Sequence, residues 1–457
     1  MNPKKVAFYT LGCKVNQQDS ESLASMFEEG GYETVDFKEA ADVYIINTCT
    51  VTHLGDRKSR QMIRRAIKEN PEAKVVVTGC YAQTSPGEVL AIAGVDLVVG
   101  TKDRKEIVSL VEKLKKSNQP VNLVDNIMAS KEFEELPLPS SSRARAFIKV
   151  QEGCNQFCTY CIVPYARGPI RSRPLEGVIN QVKELVDQGY QEVVLTGTHT
   201  GMYGKDQKIQ QVSLAQLVKA LTTTPGLERL RISSVDPNDF TEELIEVLIS
   251  SPVICPHFHI PLQSGDDEIL KRMKRPYNVA SYLNLVEKLR QKSPEVAFTT
   301  DVMVGFPGET EEQFQNTVKL IEKVSFSDLH VFKYSPRKGT PAASYEGQID
   351  PLIKEERSQY LLELAKKLQE QYGSRFVNEV RKVLVEKIWQ PDTGKIDGGE
   401  ELINVNAGPT LWEGLTDNYL RVVFPAEGKL ARELVLVKLI DWQSEGYMSG
   451  RQIVQDA

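Results

Sequence analysis

Three cysteines stand within one short run, Cys154, Cys158 and Cys161, preceded by Glu152-Gly153 and followed by Ile162-Val163-Pro164. Their C-x3-C-x2-C spacing suits ligation of an iron–sulfur cluster or zinc better than a disulfide framework. Structural zinc closes a tetrahedron, and no neighbouring Cys or His in the run completes one. A four-iron cubane ordinarily takes four thiolates. Three ligands therefore leave one iron open, which is the condition for a metal centre to act on a bound molecule. A partial zinc knuckle is the competing reading.

A second set of three is spread through the first part of the chain. Residues 1 to about 125 alternate strand and helix patterns, which implies a parallel α/β sheet. Strands are expected over 5–11, 43–47 and 74–78. Helices are expected over about 17–29, 54–69 and 103–115, the first stopped by Gly30-Gly31. Cys13, Cys49 and Cys80 each fall at the end of one of those strands. The carboxyl ends of parallel strands share one edge, where ligands bind. Cysteines separated by 35 and 30 residues are thereby expected to converge on a second open-iron cluster. Gly12 and Gly79 would let the backbone turn closely around it. The plainer alternative is that each is a buried small apolar residue.

The first run resembles the signature of the radical S-adenosylmethionine (SAM) enzymes. A three-cysteine α/β domain followed by C-x3-C-x2-C resembles the methylthiotransferases within that superfamily, over the whole chain. The resemblance implies two [4Fe–4S] clusters and SAM as cofactors. The open iron of the central cluster would chelate SAM and pass the electron that cleaves it to a 5′-deoxyadenosyl radical. The N-terminal cluster would carry sulfur that a first SAM methylates, and a second SAM would supply the radical. The six cysteines would be both metal ligands and catalytic residues.

A linker over 126–142, with Pro137, Pro139 and Ser140 to Ser142, leads to a second α/β series over 143–372. Its expected strands are 146–150, 192–195, 229–233, 257–260, 298–304 and 329–334, with helical stretches between, forming a partial (β/α)6 barrel. Barrels of this kind place their sites at the carboxyl ends of the strands, and the cysteine run follows the first. Loops after later strands carry Ser234, Gln263 and Gly305, which the resemblance implies as SAM contacts, though turns explain such residues as well. Tyr160 would shield the cluster, approach the adenine, or simply be a core aromatic. His199, His257 and His259 read as polar lining of the barrel mouth more readily than as metal ligands. Cys255 reads as structural.

A long helix over 352–372, expected to stop at Gly373, precedes five short strand patterns. Together these suggest an OB-like barrel over 373–457. The run Gly414 to Val422, with Gly450, resembles the TRAM domain, an RNA-binding module. Candidate RNA contacts there are Arg375, Arg381, Trp412, Tyr419 and Arg421. The segment carries ten basic and thirteen acidic residues, which argues against binding by charge alone. From 142 to 175 the balance reverses, with Arg143, Arg145, Lys149, Arg167, Arg171 and Arg173 against Glu152 alone. Arg167, Arg171 and Arg173 are therefore further RNA candidates, and 56–74 is a second basic stretch of which a solvated face is an equal reading.

The chain has 457 residues, net charge −6, 41% hydrophobic and 26% charged residues, with no apolar run of signal or membrane length. A cytoplasmic enzyme, acting as a monomer with an external electron donor and a tRNA substrate, is the expectation. Within the family, Lys14-Val15-Asn16 after Cys13 fits the branch that methylthiolates carbon 2 of N6-threonylcarbamoyladenosine at tRNA position 37. A sister enzyme acting on another tRNA adenosine or a ribosomal protein side chain stays open. So does a non-catalytic iron–sulfur protein for RNA binding or electron transfer.

Overall fold

The computed structural model describes residues 3–116, 119–137, 143–206, 212–390 and 410–453; residues 138–142 of the expected linker lie outside these. Among the described residues the first sheet has six parallel strands in the order β2-β1-β3-β4-β5-β6. These are β1 (Lys4–Thr10), β2 (Tyr32–Val35), β3 (Val43–Thr48), β4 (Lys74–Gly79), β5 (Leu97–Val99) and β6 (Val121–Leu123). Every residue of β3 is buried, as expected of a central parallel strand with both faces covered. The first helix, Lys14–Glu29, begins three residues earlier than its periodicity suggested, because Cys13 itself adopts the extended cap position. No residues intervene between strand-end turn and helix, so the thiol is fixed at the sheet edge.

The six strands expected for the central barrel are all present: β7 (Arg145–Glu152), β9 (Glu192–Gly197), β10 (Arg229–Ile232), β11 (His257–His259), β12 (Ala297–Val304) and β13 (Asp328–Lys333). A two-residue antiparallel strand, β8 (Arg171–Ser172), edges β7. The strands pair in two sheets, β10-β9-β7-β8 and β11-β12-β13. A parallel bridge between Leu230 and Ile254 and the bond from Val235 N–H to His259 C=O carry the curve across the gap. The core is one continuous cluster running from Ile148 and Val193 on the first strands to Phe298 and Leu329 on the last.

The helix Pro351–Ser374 continues through Gly373 instead of stopping there. A Cβ at Gly373 would meet the Trp442 ring at 2.3 Å, so glycine serves close packing rather than termination. Beyond it, β14 (Val380–Ile388), β15 (Thr410–Thr416), β16 (Arg421–Ala426), β17 (Leu434–Gln443) and β18 (Tyr447–Gln452) close a small barrel in the order β14-β15-β16-β18-β17. This barrel docks on the central strands. Arg229 donates to the carbonyls of Leu415 and Lys382, Arg231 to those of Thr416 and Asp417, and Arg145 pairs with Glu386 at 2.7 Å.

Candidate active site with two three-cysteine sets

Cys13, Cys49 and Cys80 follow β1, β3 and β4 and line one cavity of about 520 Å³. The backbone wraps them tightly. A Cβ at Gly12 (φ 105°) would stand 3.2 Å from Cys49 Sγ, and one at Gly79 (φ 93°) 2.4 Å from Asn47 Oδ1. The Asn16 amide donates to the carbonyls of Leu11 and Thr48, tying the helix start to two of the strand ends. Arg167 Nε donates to Cys80 Sγ across 3.4 Å.

Cys154, Cys158 and Cys161 line a second cavity of about 260 Å³ with Tyr160, His199, Asp236, Gln263 and Arg275. Arg275 donates to Cys158 Sγ at 3.3 Å and pairs with Asp236. His199 Nδ1 lies 3.3 Å from Cys154 Sγ, while its Nε2 meets Asp239 at 2.7 Å. The two cavities share Val163, Thr198, Ser234 and Asp301. The two cysteine sets therefore line adjoining cavities with a common wall.

Burial pushes the Cys49 thiol up to about 11 and that of Cys161 up to about 12, each raised further by neighbouring cysteines. Bare thiolates are costly in such surroundings, so ligation through them would need a cationic centre to offset their charge. An arginine N–H aimed at sulfur in each set favours the thiolate form that metal ligation requires. The seventh cysteine, Cys255, is buried and lines neither cavity. Two sets of three thiols, each with a charged donor on sulfur and no fourth cysteine among the described residues, fit two open-iron clusters.

A buried ionic cluster joins the first sheet to the barrel beneath these cavities. Asp19 accepts from Arg104 (2.6 Å), Lys149 (2.6 Å) and Arg167 (2.9 Å), and Glu152 accepts from Arg167 and Lys149. Burial alone would raise both carboxyls. The surrounding cations overcome it and hold each well below the usual carboxylate range. On the far side of the barrel, Arg337 donates to Thr50 and Asp56 at 2.6 Å each. The first sheet is thereby pinned to both rims of the barrel mouth.

The remaining sequence candidates are distributed unevenly. Ser234 lines both cavities; Gln263 and Tyr160 line the smaller one, and Gly305 lines neither. Arg167 and Arg171 are buried; Arg167 still lines the larger cavity, whereas Arg171 lines neither. Their charge answers Glu152 in the same stretch, and Arg167 also meets Asp19, far away in sequence. Arg173 pairs with Glu135, Arg421 with Glu413, and Arg381 with Glu295 and Glu379, while Arg375 donates to the Pro294 carbonyl. Trp412 is buried in the small barrel's core. Tyr419 reaches out of that barrel into the wall of the larger cavity, stacked on His257 at 4.1 Å with Arg231 over its face at 4.9 Å. Sequence reasoning passed over Arg275, Asp239, Asp301 and His330. The last two face His259 on adjacent strands, and strand-end polarity was the available signal.

Residues 148–321 match the sequence model of the Radical SAM superfamily, and residues 5–100 match that of uncharacterized protein family UPF0004. A threonylcarbamoyladenosine tRNA methylthiotransferase (MtaB) of Bacillus subtilis is 48% identical over 437 residues, covering 95% of this chain and 93% of that protein. A tRNA-2-methylthio-N(6)-dimethylallyladenosine synthase of Moorella thermoacetica is 36% identical over 455 residues, covering 97% and 98%. Among solved structures, the radical SAM methyltransferase TsrM from Kitasatospora setae superposes with a TM-score of 0.57 at 17% identity, over 75% of this chain and 77% of that one, a likeness of fold. The chain belongs to the radical SAM methylthiotransferase family. It is a transferase whose cofactors are SAM and [4Fe–4S] clusters. Among the described residues no helix is long and apolar enough to cross a membrane.

Proposed function

We propose that this chain methylthiolates N6-threonylcarbamoyladenosine in tRNA, as the name of its Bacillus subtilis relative states for that protein. The observation that carries the reading is the shared wall of the two cavities, which puts both cysteine sets within reach of one bound nucleoside. Cys154, Cys158 and Cys161 would hold the cluster that binds SAM, and Cys13, Cys49 and Cys80 the second. Bound there, SAM and its cluster supply hydrogen-atom abstraction from an unactivated C–H bond, which no side chain can perform.

The chain's own groups do the positioning. Arg275 and Arg167 aim N–H groups at one sulfur of each set, and hydrogen bonds of this kind tune cluster potential. Asp239 orients His199 against Cys154. Ser234, on the common wall, and Gln263 would present polar groups to SAM. A cavity of about 520 Å³ falls in the range that encloses a nucleoside-sized ligand and keeps bulk water from a reactive centre. The small barrel over 373–457 would act as a TRAM-like hold on RNA beside the cavity mouth. Segments 1–125 and 143–372 would act as the sulfur-carrying and radical-generating units. The setting would be cytoplasmic, with an external electron donor.

The test is anaerobic reconstitution with iron and sulfide, then SAM, dithionite and tRNA carrying threonylcarbamoyladenosine, with thiomethylated nucleoside followed by mass spectrometry. Product that disappears in both Cys154→Ala and Cys80→Ala supports the reading. Product only with tRNA bearing dimethylallyladenosine transfers the chain to the sister branch. Absence of SAM cleavage by fully loaded protein refutes the enzymatic assignment of the site.

A further inference from the structure

The cations around the larger cavity are not equivalent. Arg231 is neutralised by Glu192 at 2.8 Å, and Arg167 by Asp19 and Glu152. His259 and His330 share the Asp301 carboxylate, each at 3.2 Å. Lys14 also lines the cavity, is exposed, and has no hydrogen bond or ion pair with any described residue. Its backbone is nonetheless fixed. Cys13 precedes it in the cap position, and Val15 and Asn16 after it are buried.

The charge of Lys14 is felt across the cavity. Burial would raise the Tyr419 hydroxyl, yet Lys14, Arg145 and Arg231 together bring it below its ordinary value. One uncompensated ammonium in the cavity wall, beside a cysteine of the sulfur-carrying set, is placed to receive an anion. The threonylcarbamoyl group joins threonine to adenosine through the amino nitrogen, so its carboxylate stays free and negative. The dimethylallyl group of the sister substrate carries no charge.

We propose that the Lys14 ammonium binds the free carboxylate of the threonylcarbamoyl group and so selects this substrate. The inference rests on the function proposed above and adds to it the physical basis of discrimination. Asp301 is already engaged by the His259 and His330 rings, each at 3.2 Å. A backbone phosphate is the competing anion, and it separates cleanly by experiment.

The test uses the reconstituted full-length enzyme and three anticodon stem-loop RNAs. One carries threonylcarbamoyladenosine, one its analogue with the carboxylate converted to carboxamide, and one unmodified adenosine. The wild-type enzyme is expected to prefer the acid over the amide by about 10- to 100-fold in kcat/KM, the worth of a charge-assisted contact. Lys14→Met is expected to lose that preference, chiefly through KM, with iron content retained, and Lys14→Arg to recover most of it. Equal wild-type rates on acid and amide overturn the proposal without touching the assigned function. An equal loss of affinity by Lys14→Met for all three RNAs also overturns it, assigning Lys14 to phosphate. Wild-type enzyme that cleaves SAM yet thiomethylates neither the threonylcarbamoyladenosine RNA nor its amide removes the functional reading and this inference with it.

Discussion

Asp19→Asn keeps the shape of a fully buried side chain while deleting the charge that three cations share. Around it stand Arg104, Lys149, Arg167 and Arg171, four positive groups, against Asp19, Glu152 and Glu134. The substitution leaves four cations facing two anions with almost no access to water. Breaking a buried pair by removing one partner costs about 3–5 kcal/mol, and Glu152 still contacts the same cations, so the lower figure applies. The cost falls on one joint, since Asp19 belongs to the helix of the first sheet and Lys149 and Arg167 to the barrel. Tryptophan fluorescence is blind to that joint, because Trp389, Trp412 and Trp442 all lie in or beside the small barrel. Hydrogen exchange over 14–29 and 145–152 reads it directly. A loss of about 3 kcal/mol accelerates exchange in both segments by about 100-fold. Acceleration below about fivefold in both would refute the claim that this cluster holds the two units together.

Because both carboxyls are held low in the folded protein, their contribution is complete above the unfolded value of about 4 and is lost as pH falls below it. Exchange over 14–29 in metal-free protein should therefore rise on acidification below pH 4, and Asp19→Asn should blunt that rise. His330 is shifted the other way: its hydrogen bond to Asp301 outweighs burial and raises it. Its ring should titrate by NMR above the ordinary value of about 6.5 and return toward it in Asp301→Asn. Cys154→Ala and Cys80→Ala should each lower bound iron by roughly half, and either variant retaining full iron would contradict the assignment of three ligands per set. Gly79→Ala would force a Cβ to within 2.4 Å of Asn47 Oδ1 at a left-handed φ. A cost of about 1–3 kcal/mol, with iron lost from the N-terminal set alone, is the expected result of thermal melts and metal analysis.

The cysteines were readable because metal ligation imposes spacing on a chain. Cys154, Cys158 and Cys161 declare themselves locally, while Cys13, Cys49 and Cys80 needed only the rule that parallel strands end at one edge. The six barrel strands were legible too, although Arg229–Ile232, His257–His259 and Asp328–Lys333 mix apolar with charged or polar residues. What escaped depends on pairing at long range. Arg167 and Arg171 look like RNA contacts until the distant Asp19 is placed beside Arg167 and Glu152 is seen buried among them, and no local pattern announces the meeting with Asp19. The short strands β2, β5, β6 and β8 are two to four residues long and carry too little periodicity to register. The start of the first helix was misjudged by three residues because a cysteine is an uncommon cap. Tyr419 was foreseen as an RNA contact from its aromatic ring among cations. The structure sets that ring among other cations, Arg145 and Arg231, as part of the cavity wall.

That wall has a bearing on how the protein can be altered. The tip that carries Tyr419 sits at the turn between β15 and β16, and Arg229 and Arg231 clasp the carbonyls around it. The small barrel is thus no detachable handle at the end of a tether. A version cut before Val380 would open the larger cavity, the proposed reaction chamber, on one side. A graft from a sister enzyme would exchange part of the chamber lining together with the module. Loop length between β15 and β16 then becomes a dimension of the chamber itself, and any lineage that trades one such barrel for another must reshape both at once.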